Sequence, residues 1–209
     1  MDTIKIFQIE KSDIEIKKTV LTNCIKMLTE RKLLNVENLS KNINKITSLG
    51  SDDDLYTVEL DNPKSESSKK YIIKIFNQKI VSISKQSTII EFLNKHKNTP
   101  KIIIVKDINP KPRQSIVSNF PSTEVFLEQE LMINLIDSEI IDTKYEILEK
   151  DGDRYKEYFE AYQNKKKQMP RLFIDDPMAR YYNLKRYDIV RCIRISDTSG
   201  LAPFYRIVV

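Results

Sequence analysis

The sequence predicts an α/β protein of the α+β kind in two parts, and two features predict it. Between residues 55 and 136, β-branched runs alternate with a helical period, the order expected of a mixed four-stranded sheet with flanking helices. From Asp176 onward a capped helical turn leads into two strands joined by a polar turn, which reads as a small α+β domain of its own. The 209 residues allow one large or two small domains; 40% are apolar and can fill a core, and 31% are charged and solvate the surface.

The first helix opens at Ser12-Asp13-Ile14-Glu15, a capping box in which the Ser hydroxyl accepts from the third helical N–H and the Glu reaches back. Ile16, Val20, Cys24, Met27, Leu28 and Arg31 follow at helical spacing and carry the helix to about Leu33, with Cys24 on the apolar stripe as a core residue. Asn35 to Ser48 predicts a second, short helix. Leu55–Leu60 alternates as a strand should, and Asp61–Ser68 is a polar hairpin loop. Lys70–Phe76 is β-branched, and Lys101–Lys106 is a continuous apolar run suited to a strand buried on both faces. Between them Ser84–Asn98 predicts a helix with Ile89, Ile90 and Leu93 inward, so strand, helix and strand form a right-handed crossover. Val125 to Ile136 supplies the fourth strand and the exit from the domain.

The last forty-one residues are the most informative. Asp176 occupies an N-cap position with Pro177 at the first helical position, where a missing N–H costs nothing. One to two turns run through Tyr182, and Asn183 stands at the stop, second only to Gly for the left-handed conformation there. Leu184 can fold back onto the turn's apolar face. A polar corner, Lys185 to Asp188, leads into a strand over Ile189–Ile195. Ser196 to Gly200 is a turn, and Phe204–Val209 returns as a second strand.

Charge is unevenly placed. Six of the nine arginines (Arg171, Arg180, Arg186, Arg191, Arg194 and Arg206) lie in this segment. Residues 165–209 hold ten Lys or Arg against four Asp, a net +6, so of the total +5 residues 1–164 carry −1. Guanidinium makes rigid bidentate contacts to carboxylate and phosphate, so the module is expected to meet a charged partner, nucleic acid or an acidic protein surface. The run Lys165-Lys166-Lys167 by itself is read as a solvated face.

Catalytic chemistry is not encoded in any familiar form. His96 is the single histidine and reads as a surface residue near a helix end, with neither cysteine near it in sequence for a Cys/His or Ser/His/Asp arrangement. Gly50, Gly152 and Gly200 are too far apart for a phosphate-binding glycine loop. Zinc has too few soft ligands, and Asp52-Asp53-Asp54 reads as a solvated turn before it reads as a Mg²⁺ site. We expect no catalytic residue, no metal and no cofactor. Cys24 and Cys192 fall in different domains and are read as reduced thiols of a cytosolic or nuclear protein. No apolar run approaches a membrane span and the N-terminus is charged throughout, so neither a transmembrane helix nor a signal peptide is expected.

The C-terminal segment closely resembles the assembly domain of the fifth subunit shared by eukaryotic nuclear RNA polymerases, a family with an archaeal counterpart. The resemblance rests on Met169-Pro170-Arg171, Asp176-Pro177-Met178-Ala179-Arg180-Tyr181, Leu184-Lys185-Arg186, Val190, Ile193-Arg194, Ser196 to Gly200 and Tyr205-Arg206. The family usually has Gly at positions 183 and 187, here Asn183 and Tyr187, and Pro at 195, here Ile195; a bulky residue cannot take positive φ cheaply. More weakly, Ile16 to Val20, Glu124-Val125-Phe126, Ile133-Asn134 and Ser138-Glu139-Ile140 resemble the family's jaw domain. The family's junction maps to about Asp137–Tyr145, dividing the chain into a jaw domain, 1–138, and an assembly domain, 139–209, in which Tyr155–Gln168 forms a helix. Glu149 to Asp153 looks like an acidic insertion.

The resemblance implies a non-catalytic polymerase subunit, a hetero-oligomer component with no membrane partner, in the nucleus, or in cytoplasm and virion for a homologue from a large DNA virus. Arg171, Asp176, Pro177, Arg180, Tyr181, Lys185, Arg186, Arg194 and Arg206 would form the interface to the largest subunit. In the family a jaw loop after the third strand approaches downstream double-stranded DNA. Here that loop is Asp107 to Ser115, stiffened by two prolines, with Lys111 and Arg113 offering sequence-independent phosphate contacts; an ordinary basic loop is the competing reading. The jaw also resembles restriction-type nucleases in fold, but Tyr71-Ile72-Ile73-Lys74 has Ile where a metal-binding carboxylate belongs. A free-standing DNA-binding protein or decayed nuclease, and an adaptor for transcription factors, are the alternatives.

Overall fold

The computed structural model describes residues 11–48, 50, 54–62, 69–82, 88–137, 143–150, 152–162 and 168–209. The expectations for Asp52 and Asp53, for most of the hairpin loop, for the first turn of the third helix, for Ser138-Glu139-Ile140 and for Lys165 to Lys167 lie outside the described residues. The chain divides into two compact units, Met1–Ile133 and Asn134–Val209.

In the first unit the capping box forms as expected. Ser12 Oγ accepts from Glu15 N–H at 3.3 Å and Glu15 Oε2 accepts from Ser12 N–H at 2.8 Å, opening α1 (Asp13–Glu30). Its buried stripe is Lys17, Val20, Leu21, Cys24, Ile25, Met27 and Leu28. The helix ends three residues before Leu33, where Lys32 turns left-handed at φ 61°. Its N–H then donates to Thr29 O and that of Leu33 to Leu28 O, the two bonds of a Schellman stop. α2 (Val36–Thr47) follows, and the Asp61 carboxylate accepts from Asn35 N–H at 2.7 Å beside its start.

The four strands β1 (Leu55–Glu59), β2 (Lys70–Ile80), β3 (Lys101–Ile108) and β4 (Thr123–Leu127) lie side by side in that order. β1 and β2 are antiparallel, while β2, β3 and β4 are parallel, so the sheet is mixed as expected. β3 is buried from Lys101 through Val105, as a strand covered on both faces must be. α3 (Thr88–Lys95) and α4 (Pro110–Asn119) pack on one face through Ile89, Leu93, Ile116 and Phe120 against Phe76, Ile103 and Val125. On the other face Tyr56 Oη donates to the Asn42 carbonyl of α2, and Arg31, just past α1, forms a two-pronged pair with Glu124 at 2.9 and 2.8 Å, where Tyr71 Oη also donates.

Three expectations need correction. Asp107 to Ser115 is not a loop: β3 runs on to Ile108, and Asn109 and Pro110 open α4. The fourth strand stops at Leu127, where Glu130 accepts its N–H at 2.8 Å and a 3-10 turn takes over at Gln129–Leu131. α3 ends at Lys95, because the chain turns so that Lys101 Nζ can donate to the His96 and Thr99 carbonyls at 2.6 and 3.0 Å. His96 is half-buried, its ring centroid 5.0 Å from that of Phe92.

The second unit holds a second four-stranded sheet, ordered β5 (Lys144–Leu148), β7 (Ile189–Ser196), β8 (Gly200–Val208), β6 (Arg171–Leu172). Two of these strands, β5 and β6, were not foreseen, and β8 begins at Gly200 rather than Phe204. Gly200, at φ 68°, closes the three-residue turn that links it to its ladder partner Ser196. α6 (Pro177–Tyr181) covers the face carrying Val190, Cys192 and Val208; α5 (Asp153–Tyr162) covers the opposite face, carrying Ile189, Ile207 and Leu148, through Tyr158. Beyond β5, Gly152 N–H donates to Glu149 O at 3.1 Å.

Candidate functional site

Punctuation of α6 follows the sequence closely. Asp176 Oδ1 accepts from Met178 N–H at 2.8 Å, and Pro177 takes the first helical position. Asn183 is left-handed at φ 51°; its N–H donates to Arg180 O at 3.0 Å and that of Leu184 to Ala179 O at 2.9 Å. Those two bonds make a Schellman stop, and Leu184 is buried against Ala179 as the motif favours.

The corner that follows is more strained. Asp188 N–H donates to Lys185 O at 3.0 Å, and Asp188 Oδ2 accepts from Lys185 N–H at 2.7 Å. Tyr187, third in this turn, has φ 72°, the sign that a type II turn requires and that favours glycine. The tyrosine keeps the turn because both neighbouring peptides are tied to β8, with Tyr187 N–H donating to Val208 O and Val208 N–H donating to Asp188 O, each at 2.9 Å.

Among the expected interface residues, the structure separates exposed cations from structural groups. Tyr181 is a correction: it is 4% exposed and its hydroxyl donates to Asn134 Oδ1 at 2.9 Å, so it serves the core of the unit. Asp176 and Pro177 act in helix punctuation. Lys185 and Arg186 are exposed, Lys185 Nζ donating to Asn183 Oδ1 at 2.7 Å, while Arg180 on α6 is half-buried. Arg194 and Arg206 both lie over the Phe204 ring, each guanidinium carbon 5.4 Å from the centroid. Strand alternation explains the cluster, since Arg194, Phe204 and Arg206 share the α6 face of the β7–β8 hairpin. Each cation–π contact contributes about 0.5–1 kcal/mol at an exposed site and holds the two charges on one platform. Arg171 pairs in register with Ile207 and so belongs to the other face.

On that second face one carboxylate, Glu146, takes up two of the arginines. Arg191, directly across from Glu146, donates to it at 2.9 Å, and Arg154 donates to the same carboxylate oxygen at 3.0 Å. Glu146 was not singled out in the sequence, because the strand that presents it was not recognised.

Lys111 and Arg113 lie in the first turn of α4. Pro110 and Pro112 fit there because the first helical N–H groups have no intrahelical acceptor to lose. They also remove amides that would otherwise bind an anion, so attraction at this end rests on side-chain charge. Lys111 is exposed. Arg113 is half-buried, with Nη2 3.5 Å from the Val125 carbonyl.

Residues 136–208 match the family described as RNA polymerase Rpb5, C-terminal domain. The chain is 34% identical over 215 residues to DNA-directed RNA polymerase subunit 5 of Acanthamoeba polyphaga mimivirus, covering 98% of this chain and 97% of that one. It is 36% identical over 110 residues to the RPABC1 subunit of DNA-directed RNA polymerases I, II, and III from Caenorhabditis elegans, covering 52% of this chain and 51% of that one. For the Dictyostelium discoideum counterpart the figures are 31% over 116 residues, 54% and 57%.

Proposed function

Because the chain belongs to the Rpb5 family of DNA-directed RNA polymerase subunits, we propose that its C-terminal unit docks on the largest subunit and that α4 faces downstream duplex DNA. The protein is a non-catalytic polymerase subunit, and the complex is the enzyme. A nuclear setting, or a viral one in cytoplasm and virion, fits relatives of both origins.

The observation that carries the docking role is the pairing of Arg194 and Arg206 on Phe204, within the segment that matches the family. Exposed Lys185 and Arg186 add to the charge of the same unit. Held on a ring, a guanidinium keeps its planar donors directed outward and loses little side-chain freedom on meeting a carboxylate. The partner surface is therefore acidic. For DNA the support is narrower. Lys111 is an exposed cation on a helix whose proline start leaves few amides to supply specificity, so its phosphate contact is independent of sequence.

The test is co-purification from cells expressing a tagged polymerase. Arg186→Glu/Arg194→Glu should be lost from the complex while the isolated chain keeps its melting temperature. Normal incorporation of that variant overturns the assigned face.

A further inference from the structure

The first unit carries a second charged feature outside the polymerase reading, a cleft of about 410 Å³ between α2 and β1. Asn38, Lys41, Asn42 and Lys45 line it from the helix, and Thr57 and Glu59 from the strand. The helix lies alongside the strand in the opposite direction: Asn38 near its start donates to Asp61 just past β1, and the Asn42 carbonyl accepts from Tyr56 near the other end.

β1 is the outer strand of its sheet among the described residues. Leu60 N–H donates to Lys69 O, and Ile75 N–H donates to Asp54 O. Bonded pairs alternate in an antiparallel ladder, so Tyr56 and Val58 exchange their bonds with β2 and the peptide groups of Leu55, Thr57 and Glu59 point to the open edge. The Tyr56 and Val58 side chains are buried and that of Thr57 is on the other face from α2, so Thr57 and Glu59 reach the cleft along this edge. An open edge beside a helix is the geometry in which an extended peptide adds as a strand.

Charge selects the kind of peptide. Asp61 is occupied, accepting from Asn35 N–H at 2.7 Å and Asn38 Nδ2 at 2.8 Å, and Glu59 stands opposite Lys70 in the ladder. Lys41, close enough to Asp61 to help hold that carboxyl below its ordinary value, and Lys45 are both exposed and one helical turn apart, and Lys70 lines the same cleft, so three lysines there face two carboxylates. Four residues of helix rise about 6 Å and two residues of strand span about 6.8 Å, so carboxylates at alternate positions of an added strand meet both lysines.

We infer that this cleft is a docking groove for an acidic, extended segment of another protein, which joins the sheet as a strand beside β1 and sets alternate carboxylates against Lys41 and Lys45. Backbone bonding at the edge favours a peptide over a nucleic acid, which has no matching ladder of donors and acceptors.

Fluorescence anisotropy of the full chain tests this with a labelled seven-residue peptide alternating Glu and Val. Saturable binding is expected, at least about tenfold weaker for a peptide with Lys in place of Glu. Lys41→Glu/Lys45→Glu should weaken it similarly. So should Thr57→Pro, which removes an outward N–H without breaking a bond to β2; the melting temperature of each variant shows that the fold persists. Absence of saturable binding at millimolar protein overturns the inference. So does equal binding of the basic peptide, competition by a single-stranded oligonucleotide that Thr57→Pro leaves unaffected, or binding seen only after residues 1–10 are removed.

Discussion

Tyr187 donates its backbone N–H to the carbonyl of Val208 at 2.9 Å, and this bond keeps a tyrosine in a conformation that suits glycine, at φ 72°. A residue with a Cβ is disfavoured there by roughly 1–2 kcal/mol. Tyr187→Gly should therefore be more stable than Tyr187→Ala by about 1 kcal/mol, part of the relief being offset by the unfolded-state freedom of glycine. Chemical denaturation of the two variants measures the difference. Equal stabilities would show that the corner carries no backbone strain.

Helix punctuation gives a second prediction. Asp176→Ala loses the bond from Met178 N–H and should cost about 1 kcal/mol. Asn183→Gly, at φ 51°, should be neutral or slightly stabilising. A fall in melting temperature for Asn183→Gly as large as that for Asp176→Ala would contradict the left-handed stop.

The pair between Arg31 and Glu124 is 5% and 14% exposed at its side chains. Removing one partner from a buried pair leaves the other uncompensated, so Glu124→Ala should cost about 3–5 kcal/mol, and Arg31→Met/Glu124→Leu should restore much of that loss. An unfolding series in urea decides it; a double variant no better than the single one would assign the loss to packing.

Alkaline pH probes the same cluster. Burial first, and then the Glu124 charge, push the Tyr71 phenol well above its ordinary value of 10.0. A group whose folded value is raised gives its stability fully below the unfolded value and loses it as pH rises further. Stability should thus decline above about pH 10, and less steeply in Tyr71→Phe. Parallel pH profiles for the two proteins would remove Tyr71 from the alkaline response.

For DNA, Lys111→Ala should weaken the assembled polymerase's hold on a downstream duplex equally for all sequences. It should also lower the slope of log affinity against log salt by about one unit. Arg113 is left intact because its side chain packs toward the Val125 carbonyl. An unchanged slope with normal assembly would end the DNA-facing role of α4.

Much of this architecture was legible because period and punctuation agreed. Ser12 and Glu15 announced α1, the apolar run at Lys101 announced a central strand, and Asp176-Pro177 with Asn183 fixed both ends of a helix of five residues. What failed was local information outweighed by tertiary pairing. Asn109-Pro110 carried the same cap-then-proline signal as Asp176-Pro177, yet the second proline read as a loop marker; in the first turn it loses no needed donor. β6 has only two residues, and its place is set by pairing with Ile207 and Val208 far along the chain, which no window of sequence reveals. In the site, charge type and cluster were readable. That Tyr181 turns inward to Asn134 depends on a contact across 47 residues.

Each unit owns a single cysteine, and neither sulfur meets solvent: Cys24 and Cys192 are both 0% exposed. Burial pushes their thiols up to about 12 and about 11. The thiolate that alkylating reagents require is thus scarce in the native state and forms once the surrounding unit opens. Modification rates at the two positions, read separately by peptide mass, amount to two internal clocks, one for each half of the chain. They time the opening of each half inside the assembled polymerase without any label having been introduced.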